Sequence, residues 1–478
     1  MSRFSPKQTT IALLAAGVLG GCSLAPQFVR PDLPVAATYP AAEPVPAEPA
    51  MPDASALGWR QFFPDQRLQE LIASALENNR DLRSAALRIE EARALYNIQA
   101  TDLLPNLNAS AGAARARTPA ALSATGAGMI AGSYQVGLSL ASFELDFFGR
   151  VRSLNDAALA QYLATEEAQR AAHISLVAEV AKAYLAERAF AEQQALAQST
   201  LEGRRTAYEL SQKRFKVGAS SALDLRLDES LVQSARVAYV TLTRQHAQAQ
   251  NALSLLVGTP LAALPARPTL SEQNLVTDIP AGLPSELLTH RPDIRAAEQR
   301  LRAANASIGA ARAAFFPRIS LTAALGSASP TLSGLFDSGS HAWSFTPQLL
   351  LPIFDGGRNR ANLTLAEVRQ NLAIADYEKT IQIAFREVAD TLVARATLDE
   401  QIDAQGKFLE AQAERLKLSD LRYRHGVASS LNVLDAQREL FSAQQGLIQA
   451  RLLRLTNAID LYRSLGGGLH ESTVLAAK

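Results

Sequence analysis

The sequence predicts a mixed α and β membrane protein with an internal duplication, and three observations support this fold class. Two runs without proline begin at Arg150 and Arg358, and each is long enough for a helix of roughly 68 residues, or about 100 Å. A short motif at the end of each run occurs twice. Four further stretches alternate between apolar and small polar residues, as strands of membrane barrels do. Helices this long are typical of coiled coils and long bundles.

The duplicated motif predicts the turn of a helical hairpin. Residues 214–225 read RFKVGASSALDL and residues 422–433 read RYRHGVASSLNV, an offset of 208 (426 − 218). The two preceding runs also begin 208 residues apart (358 − 150). In each hairpin we expect a glycine to end the first helix and a serine to cap the second. These tip residues are Gly218, Ser221, Gly426 and Ser429.

The first 21 residues have the features of a secretory signal peptide. Basic Arg3 and Lys7 precede an apolar run, Ile11 to Leu19, that is too short to span a membrane. The run ends in LGGC, which resembles the lipobox of bacterial lipoproteins, where cleavage leaves the cysteine, here Cys22, as an acylated N-terminus. Ser23 occupies the position where inner-membrane lipoproteins usually carry aspartate, which favours the outer membrane. The alternative is an ordinary signal peptide with an incidental cysteine.

The composition argues against several classes of function. The formal net charge of the 478 residues is +1, without the basic excess of a nucleic-acid binder, so no nucleic-acid partner is expected. Cys22 is the only cysteine and the six histidines show no ligand spacing, which argues against disulfides and metal sites. No cluster of acid, base and nucleophile stands out. We therefore expect no enzyme activity, and no cofactor other than a covalent lipid on Cys22.

The domain boundaries follow the composition and the duplication. The helix that opens each repeat is expected at Leu68 to Thr101 and at Glu286 to Ala314, with an offset of 212 between Asp81 and Asp293 (293 − 81). Each repeat then continues with two strands and a long helical hairpin. The expected segments are the signal peptide 1–21, an acylated tether 22–60, the first repeat 61–258, a linker 259–284, the second repeat 285–468 and a tail 469–478.

The four alternating stretches predict strands with one apolar face and one small polar face. They begin at Leu107, Tyr134, Ile319 and Trp343, and three of their aromatic residues are of the kind found at membrane interfaces. Four strands cannot close a barrel, which needs about eight, so the chain must oligomerise. The alternative is two soluble hairpins, each with a half-buried face.

The second helix of the second hairpin carries a heptad pattern that requires a partner helix. The apolar residues at heptad steps are Leu434, Phe441, Ile448, Leu452, Leu455, Ile459 and Tyr462.

Together these features resemble the TolC-like outer-membrane factors of tripartite export systems, in the lipoprotein branch typified by OprM. The resemblance covers nearly all of the chain after residue 21. It rests on the lipobox and on motifs whose order along the chain is specific. These motifs are LDFFGR at 145–150, RPDI at 291–294, ARAAFFP at 311–317, LPIF at 351–354, the turn at 426–435 and LGGG at 465–468.

The resemblance implies a homotrimer in the outer membrane. Each protomer would give four strands to a shared twelve-stranded barrel, which a periplasmic tube of long helices would continue. A lipid anchor would hold the protein in outer-membrane lipid, and the hairpin tips would meet a periplasmic adaptor bound to an inner-membrane transporter of the RND type. The implied function is a passive exit duct for small amphiphilic compounds, including antibiotics. The sequence has no phosphate-binding loop, so partners would supply the energy.

The resemblance also places residues at a periplasmic aperture, with Tyr423 hydrogen-bonded to Asp224 and a narrowest ring formed by Leu431 and Asp435. The aperture residues implied in this way are Asp224, Tyr423, Leu431, Asn432 and Asp435, and the adaptor would contact the tip glycines and serines.

Spacing alone allows a purely structural interpretation of both acids. Asp224 could complete a capping box with Ser221, and Asp435 could be the acidic residue that follows an Asn432 cap.

Two other functions stay open on the residues. One is an outer-membrane duct for a secreted protein, and the other is a periplasmic coiled-coil spacer or trimeric adhesin that conducts nothing. Ion conductance in a lipid bilayer would separate the last from a channel, because a spacer needs no strands with a polar lumen face.

Overall fold

The computed structural model describes residues 23–39, 53–124, 126–261, 269–273, 275–276, 279 and 284–473. The predicted signal peptide, residues 1–21, and Cys22, the predicted lipidation site, lie outside these residues. The chain forms two compact units, and each unit draws on both halves of the duplication. The first unit contains Met1–Asp32, Arg88–Glu166 and Ala296–Glu378, and the second contains Leu33–Leu87, Glu167–Arg295 and Lys379–Lys478.

Helices make up most of the described chain. In order they are α1 (Trp59–Phe62), α2 (Gln66–Asn78), α3 (Arg80–Thr101), α4 (Arg150–Lys216), α5 (Ala222–Val257), α6 (Leu287–His290), α7 (Pro292–Ala313), α8 (Arg358–Arg424) and α9 (Ser430–Ser464). None of the helices in the described ranges has an apolar stretch long enough to cross a membrane.

The two long helices begin where the sequence predicts and end at the predicted glycines. Helices α4 and α8 contain 67 residues each. Gly218 follows α4 with a φ of 74° and Gly426 follows α8 with a φ of 72°, the left-handed conformation that glycine adopts without steric cost. The N–H of Ala219 then donates to the Arg214 carbonyl at 2.8 Å, which satisfies a carbonyl of the last helical turn.

The two tip serines both precede a helix, but only one of them caps it through its side chain. Ser221 Oγ accepts a hydrogen bond from the N–H of Asp224 at 3.1 Å, as predicted. Ser429 occupies the same position before α9, yet its side chain makes no capping hydrogen bond. Ser429 thus occupies the predicted N-cap position of α9, but the prediction that its side chain caps the helix is wrong.

The helix that opens each repeat is broken, although the sequence predicts one continuous helix in each half. Asn79 separates α2 from α3 and Arg291 separates α6 from α7, again 212 residues apart (291 − 79). The Asn79 side chain accepts a hydrogen bond from Leu82 N–H and donates one to the Leu256 carbonyl, both at 2.9 Å. In the first repeat the break thus combines a local cap of α3 by Asn79 with a contact to α5, and periodicity cannot predict the contact.

The strands form one antiparallel sheet in the order β1-β2-β3-β4. Their bounds are β1 Leu107–Thr118, β2 Met129–Leu145, β3 Arg318–Ser329 and β4 His341–Leu350, so each strand is longer than the stretch that predicts it. Strands β1 and β4 are the two edges of this sheet, and their backbone groups on the outer side have no partner strand within the described chain.

The register confirms the predicted separation of apolar and polar faces. Ala109 lies opposite Leu138, which pairs with Leu325, which in turn pairs with Trp343. The next pair along these two strands, Ser139 and Ala324, lies on the other, polar face of the sheet. The register also places Gly137 opposite Gly326, where a Cβ on Gly326 would come within 2.1 Å of the Val136 carbonyl oxygen. Small residues on the polar face therefore allow the strands to approach closely.

Tyr462 organises the core of the second unit. Its ring stacks on Phe62 with centroids 4.0 Å apart, and its hydroxyl donates to the Leu57 carbonyl at 2.5 Å. A Cβ on Gly467 would lie 2.2 Å from this ring. Gly466 has a φ of 87°, which an L side chain rarely adopts. The glycines of the closing LGGG motif thus let the chain fold back over Tyr462.

The residues of the predicted heptad in α9 are buried at the C-terminal end of the helix and half-buried towards the hairpin tip. Leu455, Ile459 and Tyr462 are buried as predicted. In the first five turns the predicted positions are only half-buried. The buried residues there occupy other positions and are mainly small: Val433, Ala436, Ala443, Leu447 and Ala450. At this seam the Gln405 side chain of α8 donates to the Ala443 carbonyl.

Candidate functional site

The candidate site lies at the tips of the two helical hairpins, where the sequence places the aperture residues. Leu431 stands in the first turn of α9 and its side chain is 59% exposed. Asp435 lies one turn later, so both side chains lie on the same side of the helix. Exposed Val217, Leu223 and Val427 accompany them at the tips, so these turns present apolar side chains to their surroundings.

Asp435 is held by two arginines, which the sequence analysis did not identify. Arg415 on α8 and Arg438 on α9 each place a guanidinium nitrogen 2.6 Å from one of its carboxylate oxygens. Arg438 also pairs with Glu439 at 3.1 Å. The group of two acids and two bases is neutral as a whole, so the negative charge of Asp435 is largely compensated within the protomer.

The capping interpretation of Asp435 is wrong. Helix α9 begins at Ser430, so Asn432 lies inside the first turn instead of preceding the helix, and no acidic residue occupies that turn. The Asn432 N–H is bonded to the Ser429 carbonyl at 3.2 Å. Asp435 is the sixth residue of the helix, outside the reach of a cap.

Asp224 joins the two hairpins of one protomer, but through a residue other than the expected tyrosine. Its carboxylate accepts hydrogen bonds from Ser221 Oγ at 2.7 Å and from Ser430 Oγ, on the second hairpin, at 3.0 Å. In the described part of the chain Tyr423 makes no hydrogen bond to Asp224, and its side chain is 36% exposed. The bonds from Ser221 and Ser430 hold the pKa of the Asp224 carboxyl below its usual value.

We predict that Ser430→Ala loosens the tip. The change removes the hydroxyl that links Asp224 to the second hairpin and leaves the Ser221 cap in place. In the channel that the resemblance implies, loss of one partly exposed hydrogen bond to a carboxylate should raise the open probability about two- to fivefold. Uptake of a bulky antibiotic and single-channel recordings measure this effect.

Tyr423→Phe is the matched control for Ser430→Ala, because it removes a hydroxyl that does not bond to Asp224 in this structure. A variant pattern in which Tyr423→Phe opens the channel and Ser430→Ala does not would show that the link predicted by resemblance is the one that closes the aperture.

The Asp224 link should resist mild acid. Because its pKa is lower in the folded protein than in an unfolded chain, its stabilising contribution is complete above the usual aspartate pKa of about 3.9. That contribution is lost only as the pH falls through the lowered folded value. Open probability should therefore be flat from pH 7 to about pH 4.5 and rise below about pH 4. A rise already between pH 7 and 6 would assign the link to another group.

The signals that could have revealed the missed partners differ. Arg438 lies three residues after Asp435, a spacing at which side chains on a helix meet, so the sequence contains this pair. Arg415 reaches Asp435, and Ser430 reaches Asp224, only when two separate helices pack together. Within the described ranges no group of three or more His, Cys, Asp or Glu side chains could hold a metal ion, and the site is built from hydrogen bonds and ion pairs.

Comparison with known proteins identifies the family. The model of the family described as "Outer membrane efflux protein" matches residues 71–259 and 283–467. The chain is 50% identical over 466 residues to "Outer membrane protein OprJ" of Pseudomonas aeruginosa, with 97% of this chain and 96% of that protein covered. It is 46% identical over 461 residues to "Probable efflux pump outer membrane protein TtgC" of Pseudomonas putida, with 96% and 95% covered.

Solved structures agree with this relationship. The Neisseria gonorrhoeae MtrE outer membrane channel in its open state superposes with a TM-score of 0.86 at 44% identity, over 95% of this chain and all of that chain. A membrane protein from Pseudomonas aeruginosa gives the same TM-score at 49% identity, over 93% of this chain and all of that chain. The mixed fold class with four strands per chain is thus confirmed. The chain belongs to the outer membrane efflux protein family, and it is an outer-membrane efflux channel.

Proposed function

We propose that three copies of this chain form the exit duct of a tripartite efflux pump that releases small amphiphilic compounds, antibiotics among them. The observation that carries this proposal is a four-stranded sheet whose register separates one apolar face from one polar face, while the outer sides of both edge strands have no partner strand among the described residues. The relatives whose names mention antibiotic, toluene and solvent efflux pumps support the substrate class. The duct is passive, and an inner-membrane transporter performs the work.

The open sheet supports a trimer. Backbone groups at a sheet edge cannot stay unpaired in a membrane, so the free sides of β1 and β4 require other strands. Three sheets of four strands give twelve strands, an even number above the minimum for a closed barrel. The apolar face then meets lipid and the polar face lines the lumen.

Apolar surface on the helices supports the same assembly. On α3, Leu87, Leu95 and Ile98 are between 54% and 65% exposed although they recur at helical spacing. On α9 the larger residues of the predicted heptad are half-buried beside the alanine seam. A second copy of the chain would cover both surfaces and complete the coiled-coil pattern that the sequence predicts.

The exposed hairpin tips are the surface proposed for a periplasmic adaptor. Val217 and Val427 are 78% and 68% exposed beside Gly218 and Gly426. Apolar side chains on two tight turns offer a compact patch for another protein, and the duplication supplies two such patches in each protomer.

The segment that follows Cys22 supports a lipid anchor at the membrane side of the first unit. Arg30 bonds both carboxylate oxygens of Glu298 near the start of α7. Ala25 lies against Gly309 near the end of α7, where a Cβ on the glycine would come within 2.8 Å of the Ala25 Cβ. The segment therefore runs along α7 towards the start of β3 as it approaches residue 23. We propose that Cys22 carries an acyl chain at that end.

The proposal predicts that Cys22→Ser, expressed behind a signal peptide without a lipobox, still yields a channel. Strands with an apolar face give membrane affinity that does not depend on the acyl chains, which add to it. We expect heat-resistant trimers in the outer-membrane fraction and wild-type ion conductance in planar bilayers. Recovery of soluble monomer alone would contradict the barrel, and a trimer without conductance would contradict the duct.

A further inference from the structure

The C-terminal end of β1 carries two arginines on the mostly apolar face of the sheet, at the end where Ser327, Ser329 and His341 share that face. The register places Arg115 opposite Gly132 and Arg117 opposite Ile130, directly beyond the row in which Ala113 faces Tyr134. Both arginines thus continue the row of alternate residues that begins at Leu107. Asn108 and Ser110 occupy the opposite face of the same strand.

Neither arginine has an acidic partner in the described part of the chain. Arg115 and Arg117 are exposed and make no ion pair or side-chain hydrogen bond there. The basic residue at the other end of the sheet differs in this respect. Arg318 on β3 pairs with Glu144 at 2.6 Å, and Arg150 pairs with the same carboxylate at 2.7 Å. The two cations of β1 are therefore free to bind an external anion.

Their height along the strand places them at the outer boundary of the membrane. The helices join the strands near residues 101–107, 145–150, 313–318 and 350–358, so the opposite ends of the strands point away from the helical part of this unit. Arg115 is eight residues beyond Leu107 (115 − 107), or about 26 Å along a strand at about 3.3 Å per residue. With a tilt of about 40°, this is roughly 20 Å across a lipid-facing apolar band about 25 Å tall.

We propose that Arg115 and Arg117 bind the phosphate groups of anionic lipid in the outer leaflet. A guanidinium presents paired donors that match phosphate oxygens, and a cation on a lipid-facing surface at head-group height meets such groups directly. The inference rests on the proposed function, because that function sets which end of the barrel faces outwards.

A carboxylate of a neighbouring copy is the competing occupant. Asp337 lies exposed in the turn before β4, the edge opposite to β1, so a second copy that pairs with β1 would bring it near the two arginines. In that case the arginines would stabilise the trimer in the absence of any charged lipid. The two occupants differ in whether the effect of the arginines depends on lipid phosphate.

The test uses purified trimers of the full chain in a neutral detergent, titrated with bisphosphorylated lipid A, with phosphatidylcholine or with inorganic phosphate. The variant is Arg115→Gln with Arg117→Gln. The matched control carries these two changes together with Ala114→Arg and Ala116→Arg. It has the same net charge as the wild type, but the two arginines lie on the polar face of the same strand. Bound lipid is counted by native mass spectrometry, and the thermal midpoint of the trimer is measured in parallel.

We expect the double glutamine variant and its control to bind lipid A about tenfold or more weakly than the wild type, since both lose the guanidinium groups that would pair with the lipid phosphates on the membrane-facing surface. Binding of phosphatidylcholine should not change. Three results would overturn the inference. The first is that the double glutamine variant binds lipid A as well as the wild type does, and the second is that inorganic phosphate raises the thermal midpoint of the wild type as much as lipid A does. The third is that, in neutral detergent without lipid, the double glutamine variant and an Asp337→Asn variant lower the thermal midpoint of the trimer equally. Wild-type conductance, recorded separately, shows whether the proposed duct itself holds.

Discussion

Leu431→Ala combined with Asp435→Ala should raise the single-channel conductance about twofold or more and shift the selectivity towards anions. Leu431 is exposed at the tip of the second hairpin, where three copies around an axis would narrow the lumen. Asp435 binds Arg415 and Arg438, and Arg438 also binds Glu439. Without Asp435 the remaining charges are two positive and one negative, a net +1 per protomer at the mouth. The two changes together remove apolar bulk and unmask these arginines.

The duplication provides a matched control for this prediction. Leu223 is the counterpart of Leu431 on the first hairpin (431 − 208) and is 69% exposed. Leu223→Ala removes the same bulk from the other tip, and we expect wild-type conductance and selectivity. Planar-bilayer recordings of the three proteins at equal protein amounts measure both quantities. If the double variant conducts like the wild type while its thermal midpoint falls, Asp435 stabilises the helix pair and the constriction lies elsewhere.

Arg291→Ala should cost about 3–5 kcal/mol of stability in the second unit, the range observed when one partner of a buried ion pair is removed. The Arg291 side chain is 7% exposed and bonds three groups from separate parts of the chain. It pairs with Asp293 at 2.6 Å and with Glu387 at 2.8 Å, and it donates to the Ser464 carbonyl at 3.1 Å. The change therefore removes the one side chain that joins Asp293, Glu387 and the Ser464 carbonyl where α7 begins and α9 ends, and Glu387 keeps only Arg463 at 3.3 Å.

We expect the Arg291→Ala protein to lose the heat-resistant trimer band and to unfold at a clearly lower temperature. Arg386→Ala is the control, because Arg386 pairs with Asp390 at 3.9 Å and both side chains are at least 70% exposed. Such an exposed pair contributes about 0–1 kcal/mol. Equal thermal midpoints for the two variants would mean that the buried network around Arg291 is compensated by neighbouring groups.

The sequence predicts the long helices, the strands and the duplication because each depends on local chemistry. The two long helices begin at Arg150 and Arg358 and stop at glycines with positive φ, a conformation that the residue type itself selects. The alternation of residue types predicts which face of the sheet each strand residue occupies. A register shift of one residue would turn all side chains of a strand to the other face, so the observed pairing has to match the alternation. The aperture residues, in contrast, come from the resemblance and stay a prediction.

Three features were decided by tertiary structure, each because a contact between distant residues overrides a local pattern. Asn79 breaks a helix through its bond to the Leu256 carbonyl, 177 residues away. The buried seam of α9 near the hairpin tip consists mainly of alanines, where the Gln405 side chain of α8 reaches the Ala443 carbonyl, while the heptad pattern favours larger side chains at other positions. Asp224 finds Ser430, 206 residues away, instead of Tyr423. Local periodicity carries no information on such contacts, because helix packing determines which side chains meet.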